Sequence, residues 1–144
     1  MASKLDITTT TTLSTGTKIP NLGFGVWDSP ADLTTQSCLR ALEVGYRHID
    51  GAQAYGNEVE VGKAISQSNL PRKDIFVTSK IVSPPEGDDP NATYEKVLES
   101  VKKIGGDGKD GYLDLMLIHN QACGAKKIKV MVRRLQCRSL PAEV

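Results

Sequence analysis

Three cysteines and two histidines are all that 144 residues offer for metal or redox chemistry. Cys38, Cys123 and Cys137 are odd in number and have no metal-ligand spacing, so neither a disulfide framework nor a zinc site is expected. With only His48 and His119, a histidine-rich metal centre is excluded too. No apolar run approaches the roughly 18 residues of a membrane span. The N-terminus carries Lys4 and Asp6 but no apolar stretch of the signal-peptide kind, so a cytoplasmic location is the expectation. Neither sign of charge dominates: the formal net charge is +1, which argues against nucleic acid as a partner. Length is limiting as well. A chain of about 150 residues is one domain and buries roughly 68–70% of its unfolded surface, but a complete eight-stranded α/β barrel needs about 250 residues.

What is present is an ordinary globular composition, 39% hydrophobic and 24% charged. The charge is unevenly placed. Every acidic residue except Glu143 lies at or before Asp114, whereas Lys126, Lys127, Lys129, Arg133, Arg134 and Arg138 follow it. A break this abrupt suggests a body and a tail that differ in kind.

The body reads as alternating strands and helices. Residues 5–20 are rich in β-branched residues around Ser14-Thr15-Gly16, which predicts a hairpin. Leu22–Trp27 is a short apolar run broken by two glycines. Ser29-Pro30-Ala31-Asp32 predicts a helix start with Ser29 as cap, and Gly45 is placed to end that helix in a left-handed conformation. Tyr46–Asp50 is the next strand, Asn57 caps a second helix, and Asp74–Lys80 is an apolar run suited to a parallel sheet. Tyr94, Val97, Leu98, Val101 and Ile104 share one face of a helix opened by Asn91 and stopped by Gly105-Gly106. The run Gly105–Gly111 lacks both the P-loop ending and the EF-hand spacing, so a plain connecting loop is expected. Leu113–His119 is the last strand. Such alternation predicts a parallel sheet with right-handed crossovers.

Four polar residues fall where an α/β sheet places its chemistry, at the carboxyl ends of the strands. Asp50, Lys80 and His119 each end a strand, and Tyr55 lies in the loop after Asp50. Each alone has an ordinary reading: a cap, a solvated charge, a structural histidine, a half-buried aromatic. Together they suit proton transfer from a phenol. A phenol is a slow acid at neutral pH, and a neighbouring ammonium that favours the phenolate makes it a faster one. Lys80 can supply the ammonium, Asp50 can hold it, and His119 can orient a carbonyl oxygen. No side chain donates hydride, so that role requires a nicotinamide cofactor.

Leu22–Trp27, Gly45–Glu58 with its Tyr-Arg-His-Ile-Asp and Tyr-Gly-Asn-Glu strings, Phe76–Lys80 and Tyr112–His119 resemble the aldo-keto reductases. The resemblance runs from about residue 16 to about residue 120. It implies an α/β fold, a truncated (β/α)8 TIM barrel made of an N-terminal hairpin plus about four βα units, over residues 1–124. It also implies NADPH-dependent reduction of small-molecule aldehydes and ketones. Under it Tyr55 is the acid, Asp50 and Lys80 its tuning pair and His119 the orienting residue. Gly25, Val26 and Asp50 would contact the cofactor, and Trp27, His119 and Asn120 the substrate. Gln121 stands where the family commonly has proline, and the family's later cofactor-gripping elements have no counterpart. Residues 125–144 read as a basic tail, either a remnant helix or loosely ordered. Two expectations follow: the open barrel edges favour self-association, and the inner sheet face exposes Phe76, Thr78, Leu115 and Leu117. The alternative to an enzyme is a non-catalytic fragment that acts by associating with another barrel or half-barrel.

Overall fold

The computed structural model describes residues 6–82, 90–106 and 111–119. The predicted hairpin is present. β1 (Thr10–Thr12) pairs antiparallel with β2 (Lys18–Pro20), and the turn between them closes with Leu13 N–H donating to Thr17 O at 2.8 Å.

Four strands then form one parallel sheet in sequence order: β3 (Phe24–Gly25), β4 (His48–Asp50), β5 (Phe76–Ile81) and β6 (Leu115–Ile118). The connections carry α1 (Ala31–Glu43), α2 (Glu58–Gln67) and α3 (Pro90–Gly105). Strand–helix alternation in the sequence has become strand–helix crossover in space, as parallel pairing requires. The basic tail expected over residues 125–144 lies outside the described residues, as do residues 107–110 of the glycine-rich run.

Local differences from the sequence reading have physical causes. Pro30, not Ser29, is the N-cap residue of α1: its extended ψ of 143° stops the helix, while its carbonyl accepts from Leu33 and Thr34 N–H. Ser29 makes no capping bond; its carbonyl and hydroxyl lie beside the Thr34 hydroxyl instead. β5 starts at Phe76 because Arg72–Asp74 winds into a turn after Pro71. Gly45 does end α1 with positive φ, +105°, a region open chiefly to glycine.

The helices cover one face of the sheet. Cys38 and Leu42 of α1, Val61 and Ala64 of α2 and Ile104 of α3 pack with Val26, Ile49 and Val77. Burial pushes the Cys38 thiol up to about 11, so it is a core residue rather than a nucleophile. Gly62 lets α2 and the end of α3 touch: a Cβ there would meet Lys103 O at 2.4 Å. Glu58, in the first turn of α2, is 3% exposed and accepts a 2.7 Å bond from the Ser79 hydroxyl of β5. Ser79→Ala removes that donor and leaves a buried carboxylate short of a partner. The expected cost is about 1–3 kcal/mol, read as a lower urea midpoint at unchanged slope. An unchanged midpoint would show that the bond contributes nothing.

The opposite face corrects one expectation. Phe76 and Thr78 are buried, at 6% and 2% exposure, whereas Leu115 is half-buried and Leu117 is 40% exposed. The reason is His48. Its Nε2 meets Thr78 Oγ1 at 2.9 Å, its Nδ1 meets Pro20 O at 3.2 Å, and its ring stands edge-on to Phe76 at 5.1 Å. The hairpin and His48 together cover this end of the inner face.

Candidate active site

Parallel pairing brings the strand ends level. Gly25 pairs with Asp50, Asp50 with Thr78, and Lys80 with Leu117. Beyond the last pairs, Val26 N–H donates to Asp50 O, Gly51 N–H to Thr78 O and His119 N–H to Ile81 O. The strand-end residues named from sequence therefore meet on one rim of the sheet.

Lys80 is the hub. Its Nζ donates to Asp50 Oδ2 at 2.7 Å, to Gly51 O at 2.8 Å and to the Tyr55 hydroxyl at 3.3 Å. An ammonium has three donors, and here each has an acceptor. The side chain is 15% exposed, so the ion pair with Asp50 keeps the charge where solvent is sparse. Tyr55 Oη accepts from Lys80, and among the described residues its own O–H is not engaged as a donor. His119 stands edge-on to the Tyr55 ring, 5.5 Å between centroids. The ammonium also lies 5.1 Å from the Tyr55 ring centroid.

The Tyr55 turn is itself anchored. Gln53–Tyr55 forms a single tight turn whose Gln53 Nε2 donates to Lys96 O at 2.7 Å and Ser100 Oγ at 2.9 Å on α3. Among the described residues nothing fills the space where a Cβ of residue 25 would stand, and Trp27, just beyond β3, is 76% exposed. A phenol backed by an ammonium, an imidazole beside it and an exposed indole above the sheet can protonate an oxygen-bearing small molecule.

A family model described as the Aldo/keto reductase family matches residues 20–133. The chain belongs to the aldo/keto reductase family. An aldo-keto reductase of Mycolicibacterium smegmatis is 47% identical over 108 residues, covering 75% of this chain and 37% of the relative. An aldehyde reductase of Saccharomyces cerevisiae is 47% identical over 107 residues, 74% of this chain and 32% of that protein. The crystal structure of an aldo/keto reductase from Brucella melitensis superposes with a TM-score of 0.80 at 37% identity, covering 94% of this chain and 49% of that one. The chain thus spans about a third of the length of these curated relatives and about half of the solved structure. Its sheet is that of the aldo-keto reductase TIM barrel.

Set against the family resemblance, the structure brings Asp50, Tyr55, Lys80 and His119 together and leaves Gly25 and Trp27 open beside them. Val26, by resemblance a cofactor contact, lies beneath this rim. It is fully buried, its side chain packs in the helix-facing core, its N–H is taken by Asp50 O and its carbonyl by Asn57. Asn120 lies outside the described residues. Sequence reasoning missed Gln53 and Gly51 O, whose parts depend on contacts across the sheet. A polar residue two positions before the tyrosine was the available signal for Gln53.

Proposed function

We propose that this chain carries the proton-donating site of an NADPH-dependent reductase that converts aldehydes or ketones to alcohols. The contact of the Lys80 ammonium with both the Asp50 carboxylate and the Tyr55 hydroxyl carries this reading. Developing negative charge on Tyr55 is stabilised by that ammonium, so the phenol can give up its proton as charge builds on the substrate oxygen. Asp50 and Gly51 O hold the Lys80 side chain in place. His119, against the Tyr55 ring, is placed to direct the carbonyl oxygen to the same proton.

The residues present fit a nicotinamide cofactor at this rim: open space over Gly25, a half-exposed Asp50 carboxylate and a free phenol proton lie together. When bound, the cofactor supplies the hydride that no side chain can. Trp27 walls the substrate side.

A cytoplasmic protein is the accompanying proposal; no helix among the described residues is long and apolar enough to cross a membrane. A second reading, association with another barrel or half-barrel, draws support from β3 and β6 being the outer strands of the described sheet and from Leu117 on its inner face. One experiment separates the two. The purified chain is titrated with NADPH by nicotinamide fluorescence, then assayed for NADPH consumption with a simple aldehyde. Saturable binding with turnover supports the reductase. Absence of binding, with a dimer or larger species in sedimentation, overturns it in favour of association.

A further inference from the structure

We propose that Asn57 is a positioning residue that clamps the Trp27 turn to the Tyr55 turn, and that it thereby governs substrate affinity rather than proton transfer. The inference rests on the reading of Tyr55 and Trp27 given above.

Residues Val26 to Ser29 form a tight turn, with Ser29 N–H donating to Val26 O at 3.3 Å. Trp27 and Asp28 are its central residues. Asp28 has φ of +56°, in the left-handed region that L side chains seldom adopt, so the turn needs outside support. Trp27 is 76% exposed, and its own packing cannot be that support.

Asn57 supplies it. The side chain is 2% exposed, and Nδ2 donates to Val26 O at 2.9 Å and Ser29 O at 3.1 Å, the two ends of the turn. Thr34 Oγ1 lies further off, at 3.3 Å. An amide has two N–H donors, and the two carbonyls use both. The amide cannot be reversed, because its oxygen would then face those carbonyl oxygens.

Two observations show that the clamp outweighs simpler uses of this residue. Asn57 occupies the N-cap position of α2, yet its side chain makes no capping bond. The ordinary role of asparagine there is given up for donors aimed at another loop. Among the described residues its buried Oδ1 also finds no hydrogen-bond partner, a penalty that a small apolar residue would avoid. The clamp is two residues from Tyr55, whose turn is fixed on its far side to α3 by Gln53. Position therefore passes from α3 to the Tyr55 turn, and from there through Asn57 to the Trp27 turn. A loosened clamp lets the indole wall move while Lys80, Asp50 and Tyr55 keep their mutual contacts.

The test reads backbone order parameters from amide nitrogen relaxation, together with steady-state kinetics. In the wild-type chain the Trp27 and Asp28 amides are expected at about 0.85, the value of rigid backbone. In Asn57→Ala they are expected below about 0.6, with α1 and α2 unchanged. Asn57→Ser keeps one donor and falls between. KM for an aldehyde rises about tenfold in Asn57→Ala, with kcat within about twofold. Flexible Trp27 and Asp28 amides in the wild type overturn the proposal, as does a folded Asn57→Ala with an unchanged rigid turn. A fall in kcat at constant KM overturns it as well. Should Asn57→Ala fail to fold, the wild-type values and Asn57→Ser decide. A wild-type chain that is rigid at Trp27 but without reductase activity refutes the proposed function and leaves the clamp standing.

Discussion

Tyr55→Phe is expected to lower kcat for carbonyl reduction by about a hundred- to ten-thousand-fold, the range for loss of a positioned general acid. The substitution removes one oxygen and keeps the rest of the site. The ring stays edge-on to His119 and under the Lys80 ammonium, because both contacts are made by the ring itself. Lys80 loses its longest bond, at 3.3 Å, and retains Asp50 Oδ2 and Gly51 O. Folding stability should therefore change by less than about 1 kcal/mol, since one long hydrogen bond at a partly exposed hydroxyl is exchanged for water. NADPH affinity should also persist, because the cofactor's proposed contacts at Gly25 and Asp50 do not involve the phenol oxygen. The measurement is a single-turnover reduction rate beside an NADPH titration and a urea melt. A Tyr55→Phe chain that binds cofactor and turns over at the parent rate would place the acid elsewhere and remove the basis of the proposed mechanism.

The gathering of Asp50, Lys80 and His119 on one rim is legible in the sequence because each sits at or beside the end of a strand, and strand ends show as the limits of apolar runs. Asp50, Lys80 and His119 needed only the sheet to be parallel and the alternation of faces to hold. What escaped was everything set by partners far along the chain. The local sequence makes Asn57 a helix cap, yet its bonds reach back 31 and 28 residues to the Val26 and Ser29 carbonyls. The burial of Phe76 and Thr78 is not legible locally, because no short pattern shows that His48, 28 residues beyond Pro20 and 30 before Thr78, spans hairpin and sheet. That Val26 joins Cys38 and Val61 in the core depends on how the helices pack. Short range gave the elements and their order; long range decided which polar atoms gather on the rim and which hold loops and strands in position.

Asp114 belongs to the second kind, and Asp114→Ala is expected to destabilise the fold by about 2–3 kcal/mol. In the sequence it is only the last acid before the basic tail. In the structure its Oδ2 accepts from the Val77 N–H at 2.9 Å and from Arg72 at 2.9 Å. It thus acts as the missing first rung between β5 and β6, reinforced by its own N–H donating to Val77 O. Alanine leaves two donors short at once. The Val77 amide belongs to a fully buried residue and has no water to replace the carboxylate. Arg72 keeps its bonds to Ile75 O and Tyr112 O and its stacking on the Tyr112 ring, but its Nε is already buried without a partner. Losing its counter-charge leaves a partly buried guanidinium poorly compensated. Asp114→Asn separates the two contributions: its carbonyl can still accept from Val77, so it should recover part of the loss and lack the ionic part. Asp114 precedes β6, at the end of the sheet opposite the Lys80 cluster, so cofactor binding by the folded fraction should be unaffected. A urea midpoint equal to the parent's in Asp114→Ala would show that β6 is held by its ladder with β5 and not by this carboxylate.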